Sequence, residues 1–160
     1  MNIATIKLVI FNVLFFFFIC QLYAVKQSCA VQNKQFKDAQ ALVEKTVAHY
    51  PQIVRLTIHA IPTGEKTSRI IACNVRKKIG KLSGPEDLEA IKNSKTTALK
   101  EGNNLDVTTP IYDRAGNSIA ATGITLCYKK GEDENTVLEK AKSIARELND
   151  AIQKAGKSLW

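Results

Sequence analysis

Residues 53 to 62 read IVRLTIHAIP, and strict alternation sets Val54, Leu56, Ile58 and Ala60 against Arg55, Thr57 and His59. A period of two specifies a β-strand. The unlike chemistry of its two sides specifies a sheet with one face on a core and the other left to water or a ligand. Pro51 ends the segment ahead of this strand, PTGEKTS after it is a turn, and RIIACN follows as a second strand, so the pair forms a β-hairpin.

The rest of the chain must cover the apolar side of that sheet. Between Gln32 and Tyr50, the residues Phe36, Ala39, Val43, Val47 and Tyr50 recur at three- and four-residue steps, which places them on one face of a helix. Near the C-terminus Val137, Ala141, Ile144, Leu148 and Ile152 make a second apolar stripe, opened by Thr136 and Glu139 in the spacing of a capping box and closed by Ala155-Gly156. Ser83-Gly84-Pro85-Glu86 has the same capping spacing, with proline at the first helical position, and opens a short helix carrying Leu88 and Ile91. NSKTTALKEGNN is polar and has room for one short strand. LDVTTPIY and SIAATGITLCYK are β-rich and are joined by a turn over Asp113 to Asn117. Pro110 removes a ladder donor, so an edge or a bulge is expected there. The predicted architecture is α+β: an antiparallel sheet of four to five strands, long N- and C-terminal helices on one face, and the short crossover helix over the other. A cavity can form beneath that short helix.

The first residues belong to targeting, not to this fold. Lys7 is the only charge ahead of the apolar run from Leu8 to Cys20, the order of a secretory signal. Cleavage is expected after Ala24, or alternatively after Ala30, giving a signal over residues 1–24 and a single domain over 25–160; an uncleaved membrane anchor is the alternative. Bulky Ile19 ahead of Cys20 argues against lipid attachment at that cysteine. A periplasmic or secreted location changes the reading of charge. The formal net charge of +8 loses only the one charge of Lys7 with the signal and becomes +7. The basic residues are spread along the chain as on a solvated surface, and an exported protein does not meet nucleic acid as its partner.

GPEDLEAI together with VTTPIYDRAGNSIAATGITL resembles the extracytoplasmic Cache sensor domains, PAS-like modules that bacteria place outside the cell to bind small molecules. The resemblance covers roughly residues 32–152 and lies chiefly in the Pro-hydrophobic-aromatic-Asp strand, the D-x-x-G turn and the Gly- and Ala-rich strand. It implies strand order 2-1-5-4-3 and a ligand pocket between the sheet and the helical crossover. It also implies a freestanding secreted form, since such sensors normally continue into a signalling module and this chain stops at Trp160. In that order Cys73 and Cys127 sit on strands flanking the first strand, about 9 to 10 Å apart, too far for a disulfide, and both are expected as buried free thiols.

Six residues are candidates for ligand contact. Arg55, Thr57 and His59 share the polar side of the first strand, where arginine can hold a carboxylate and histidine can donate or accept; a merely solvated face would read the same. Arg76 belongs to the cations from Arg76 to Lys81 that would rim the pocket. Asp113 could hold an amine, although its turn position explains it without a ligand. Tyr112 shares a side with Thr108, against Val107, Thr109 and Ile111, and one of these sets must line the pocket. His49 suits a helix C-terminus. No G-x-S-x-G elbow, H-E-x-x-H, phosphate-binding glycine loop or C-x-x-C is present, and the two histidines have no acidic pair near them in sequence, so neither enzyme chemistry, a cofactor nor a metal is expected. The sequence thus points to a sensor-like binding domain for a small polar or anionic ligand, with a membrane-bound receptor or envelope protein as further partner. A secreted inhibitor or envelope adaptor without a pocket is the rival.

Overall fold

The alternating segment becomes strand β1 (Ile53–Ala60), preceded by helix α1 (Lys37–His49). After it come β2 (Arg69–Cys73), a 3-10 turn (Arg76–Lys78), α2 (Pro85–Asn93), β3 (Thr97–Glu101), β4 (Asn104–Tyr112), β5 (Ser118–Cys127) and α3 (Glu134–Ala155). The computed structural model describes residues 36–129 and 131–155. The expected secretory signal and both of its cleavage sites lie outside the described residues. The strands form one antiparallel sheet in the order β2-β1-β5-β4-β3. The fold is α+β and PAS-like, in the strand order implied by the resemblance.

Register explains which residues form the core. Leu56 of β1 stands opposite Ile124 of β5, which stands opposite Val107 of β4, and Ala60, Ala120 and Ile111 form a parallel row on the same face. All six are fully buried. Val43 of α1 and Ile144 and Leu148 of α3 join the same cluster, so the two long helices cover this face. Each leucine or isoleucine taken fully out of water there contributes roughly 1.5–3 kcal/mol before conformational entropy is set against it. α2 packs on β4 and β5 from the opposite side, where Ser118 Oγ donates to the Ala90 carbonyl at 3.0 Å.

Val54 departs from the alternation. It is 48% exposed, because a register shift between Ile53 and Arg55 turns Ile53 inward in its place. The strand is bulged at its first pairs, and the period of two holds only from Arg55 onward. Pro110 meets both expected conditions: pairing to β3 ends at Thr97 and Thr108, so β4 has a free side beyond that point, and a register shift follows between Ile111 and Tyr112.

Both helix caps are displaced from the positions read in sequence. At α2 the N-cap is Gly84, and Asp87, not Glu86, reaches back to accept the Gly84 N–H at 2.8 Å. Ser83 is thereby released to turn its hydroxyl elsewhere. At α3, Asp133 precedes the helix and accepts the Thr136 N–H at 3.0 Å and the Thr136 hydroxyl at 2.5 Å, so Thr136 is the capped residue and not the cap. Asp133→Ala is therefore expected to lower stability by about 1 kcal/mol in urea unfolding; an unchanged midpoint would show that α3 is held by its apolar stripe alone.

Cys73 is buried, whereas Cys127 is exposed at the end of β5 and not buried as expected; both are free thiols. β5 leaves the covered part of the sheet at Cys127, where its Sγ meets Asn103 of the β3–β4 turn at 3.5 Å.

Candidate functional site

The face of the sheet under α2 is polar, and cross-strand register arranges it in three rows. Arg55, Thr125, Asp106 and Leu99 stand abreast in the first, Thr57, Gly123, Thr108 and Thr97 in the second, and His59, Ala121 and Pro110 in the third. Gly123 puts no side chain into the centre of the middle row. A Cβ there would lie 2.7 Å from Thr57 Oγ1 and 4.0 Å from Thr108 Oγ1, so the glycine leaves a depression between two hydroxyls. The crossover segment and α2 wall this floor with Lys78, Lys81, Leu82, Glu86 and Asp87, enclosing a cleft of about 300 Å³.

The charged groups of the floor are largely spent on one another. Arg55 Nη2 donates to Asp106 Oδ2 at 2.6 Å, and Thr125 Oγ1 donates to the other carboxylate oxygen at 2.8 Å. Such a charge-assisted pair fixes Arg55 across β5, along one wall of the Gly123 depression. At the other wall His59 Nδ1 lies 3.1 Å from Asp87 Oδ2 and 3.0 Å from Ser83 Oγ, while its Nε2 lies 3.0 Å from Thr57 Oγ1. Ser83 Oγ in turn lies 2.7 Å from Ser68 Oγ. His59 is the floor residue that ties β1 to the start of α2.

The spacing of His59 and Asp87 is that of an ion pair, yet both groups are pushed toward neutrality. Burial, helped by the Arg55 charge and opposed by Asp106, lowers the His59 pKa to about 4. Burial, helped by Glu86 and Asp106 and opposed by the Gly84 N–H, raises the Asp87 pKa to about 6. Desolvation outweighs mutual attraction, so we read the contact as a hydrogen bond to a neutral imidazole. With Asp87 ionised, Nδ1–H donates to it and Nε2 accepts the Thr57 hydroxyl proton. With Asp87 protonated, its O–H donates to Nδ1, Nε2–H donates to Thr57, and the Thr57 hydroxyl turns fully to the Gly123 carbonyl, 3.2 Å away. One proton on α2 thus sets the direction of a hydroxyl in the floor.

Of the six sequence candidates, the cleft brings together Arg55, Thr57 and His59. The other three lie outside its lining, each for a visible reason. Arg76 pairs with Glu44 of α1, toward the core-helix side of the sheet, and leaves Lys78 and Lys81 as the cations of the rim. Tyr112 follows the β4 register shift and donates its N–H to Asn149 Oδ1 of α3 at 2.7 Å. Asp113 accepts the N–H groups of Ala115 and Asn117 at 2.9 and 2.8 Å, closing the turn in which Gly116 takes φ 85°. Sequence reasoning passed over Asp106, Gly123 and Asp87. The signal for Asp106 was its period-two relation to Thr108; Gly123 stood out only as the glycine of a small-residue strand.

No group of three or more His, Cys, Asp or Glu side chains among the described residues could hold a metal ion. No family model and no curated protein matches the chain. Among solved structures it is similar to the inducer-binding domain of the transcription factor PobR from Acinetobacter, a double mutant in complex with 3-hydroxybenzoic acid, at 10% identity over 74% of this chain and 97% of that one, with a TM-score of 0.48. A far-red cyanobacteriochrome photoreceptor is similar at 14% identity over 84% and 97% of the two chains, with a TM-score of 0.46. A type II free methionine-R-sulfoxide reductase from Thermoplasma acidophilum is similar at 14% identity over 74% and 95%, with a TM-score of 0.41. At this distance function has to be sought in the cleft itself.

Proposed function

We propose that this chain is a non-enzymatic, extracytoplasmic binding domain of the Cache kind, which holds a small polar ligand against the polar face of its sheet and reports occupancy to a membrane-bound receptor or envelope protein. The observation that carries the reading is Thr108. It is 7% exposed, lines the cleft beside the Gly123 depression, and has no hydrogen-bond partner among the described residues. A hydroxyl at an open cleft without a protein partner is left to water, and a guest that displaces the water can take up its hydrogen-bonding capacity. Export rests on the apolar run after Lys7.

Asp87, His59 and Thr57 stand in the order of an acid, an imidazole and a hydroxyl, which invites comparison with a hydrolase triad. Two facts oppose it. An imidazole with a pKa of about 4 is a weak base at neutral pH, and Thr57 is nearly fully buried with its hydroxyl shared between His59 and the Gly123 carbonyl. The constellation fits a rigid pocket wall better than a nucleophile.

A melting-temperature screen of the purified chain against carboxylates, amino acids, purines and polyamines tests the reading. At least one class is expected to raise the melting temperature in a concentration-dependent way, and Thr108→Val is expected to weaken that compound about tenfold, the worth of one hydrogen bond to a polar or charged guest. If no compound stabilises the chain, the binding reading gives way to that of an inhibitor or adaptor acting through its surface.

A further inference from the structure

The sheet has two edges, and among the described residues the chain closes one of them. Outside β2 runs the crossover segment: the Gly80 N–H donates to the Ile70 carbonyl at 2.8 Å, the Ile70 N–H to the Lys81 carbonyl at 2.9 Å, and the Ser83 N–H to the Ser68 carbonyl at 3.1 Å. Arg69 and Leu82 form a bridge in the same run. Outside β3 no described backbone group pairs in this way. β3 is also the strand most open to solvent, with Ala98, Leu99, Lys100 and Glu101 all exposed.

Register identifies the backbone groups left over. Gly102, at φ 61°, and Asn103 make a two-residue turn, and the flanking Glu101 and Asn104 form the first pair of the ladder. Pairs that exchange both hydrogen bonds alternate with pairs that exchange none. Glu101, Leu99 and Thr97 therefore spend their N–H and C=O groups on β4, and Ala98 and Lys100 point theirs out of the sheet. A bulge or a lysine commonly guards such an edge. β3 has no register shift, and Lys100 is drawn back over its own chain, with Nζ 5.2 Å from the centre of the Tyr128 ring and 3.7 Å from Glu134. On the other face Thr97, Leu99 and Glu101 line the cleft, and Lys95 is in step with them by the period of two. Lys95 and Glu101 are exposed, and neither has an ion pair among the described residues.

We propose that β3 pairs antiparallel with β3 of a second copy of this chain, about a two-fold axis at Ala98. The inference does not depend on a ligand in the cleft. Outward-pointing residues must face outward-pointing ones, so the axis passes through a residue. At Ala98 it sets Ala98 opposite Ala98, Thr96 opposite Lys100, Thr97 opposite Leu99 and Lys95 opposite Glu101. Each unpaired ammonium then meets an unpaired carboxylate, twice over by symmetry, and the two Leu99 side chains become diagonal neighbours on the same face. An axis at Lys100 would set Lys100 against itself. An axis at Leu99 would bring the two Lys100 side chains to a diagonal and leave Glu101 opposite a threonine; like charges so placed oppose pairing. Backbone and charge therefore agree at Ala98. The pairing also brings Lys95 of one copy to the Glu101 that lines the cleft of the other. A strand of this length supplies fewer residues than the roughly 20–30 a side of a standard interface, so the dimer depends on concentration.

The test is sedimentation equilibrium of the purified chain over a wide range of concentration, which is expected to show monomer and dimer in a balance that salt shifts toward monomer. Ala98→Pro removes an outward N–H at the axis, leaves the β4 ladder intact and should weaken the dimer about tenfold or more. Lys95→Glu and Glu101→Lys, each alone, set like charges opposite each other at both ends of the pairing and should weaken it by a similar factor. Mixing those two variants should restore the dimer, because every acidic position then meets a basic one. If Ala98→Pro unfolds the chain, the two charge variants and their mixture decide the matter. A monomer at every concentration overturns the inference and leaves the edge to the strand of a different protein. Association that all three variants leave unchanged overturns it as well, and assigns the contact to another surface.

Discussion

Gly123→Val and Ile124→Ala, changes at neighbouring residues of β5, are expected to have opposite consequences. Ile124 lies on the core face, fully buried opposite Leu56 and Val107. Its truncation should remove about 2–5 kcal/mol of stability through lost burial and the cavity left behind, with ligand affinity intact. Gly123 lies on the cleft face. Any Cβ there meets Thr57 Oγ1 at 2.7 Å, and that oxygen belongs to a β-branched side chain held by His59 and the Gly123 carbonyl, so it has little freedom to yield. Valine at this position occupies the depression and displaces the hydroxyl. The expected result is at least a hundredfold loss of affinity for whichever compound binds best, at a stability cost of about 1–3 kcal/mol. Urea unfolding and calorimetry on both variants separate the two faces. Unchanged affinity in Gly123→Val would remove the ligand from the floor of the sheet.

That contrast also shows what the sequence could and could not specify. The period of two in Arg55, Thr57 and His59 placed these side chains on the polar face, and the helical stripes at either end of the chain placed the covering helices on the other. Both signals are repetitive and local, so they survive without knowledge of partners. What failed depended on a single residue's choice among neighbours. Gly84 and Asp133, not Ser83 and Thr136, became the N-caps, since each stretch offers several oxygen-bearing residues and only tertiary packing selects among them. Val54 and Tyr112 left the alternation at register shifts that no composition announces. Arg76 was drawn to Glu44, a carboxylate 32 residues away on the other side of the sheet. Asp106 entered the site through Arg55, two strands away, a pairing fixed by the strand order and invisible in the spacing of either residue.

The proton balance of His59 and Asp87 gives a second large effect, hidden in the unaltered protein. The folded-state pKa of His59 is depressed from 6.5 to about 4. Its contribution to stability is therefore complete above pH 6.5 and is lost as pH falls toward 4, because the unfolded chain takes up the proton first. The folded-state pKa of Asp87 is raised from 3.8 to about 6. Its contribution has the opposite sign: the folded chain takes up the proton first, and stability is gained as pH falls through 6 toward 3.8. The two windows overlap, so the unfolded chain carries its proton on the histidine and the folded chain carries one on the aspartate, and the slopes largely offset each other. Asp87→Asn keeps an oxygen for the Gly84 N–H but removes the compensating proton. Relative to the unaltered chain, it is expected to lose about 1 kcal/mol more on going from pH 7 to pH 5, because it lacks the proton-linked gain of Asp87, taken at 1.36 kcal/mol per unit and discounted for the solvent Asp87 still meets. His59→Gln should do the reverse and become more stable relative to the unaltered chain at pH 5 by about 2 kcal/mol, the larger effect of the two, because it no longer carries the loss set by the His59 shift at 1.36 kcal/mol per unit. Urea unfolding at the two pH values decides it. Parallel behaviour of both variants and the unaltered protein would mean that neither group's pKa differs between the folded and unfolded chain and that their 3.1 Å contact carries no proton linkage. Opposed slopes would establish a buried, proton-matched pair between the floor of the cleft and the helix that covers it.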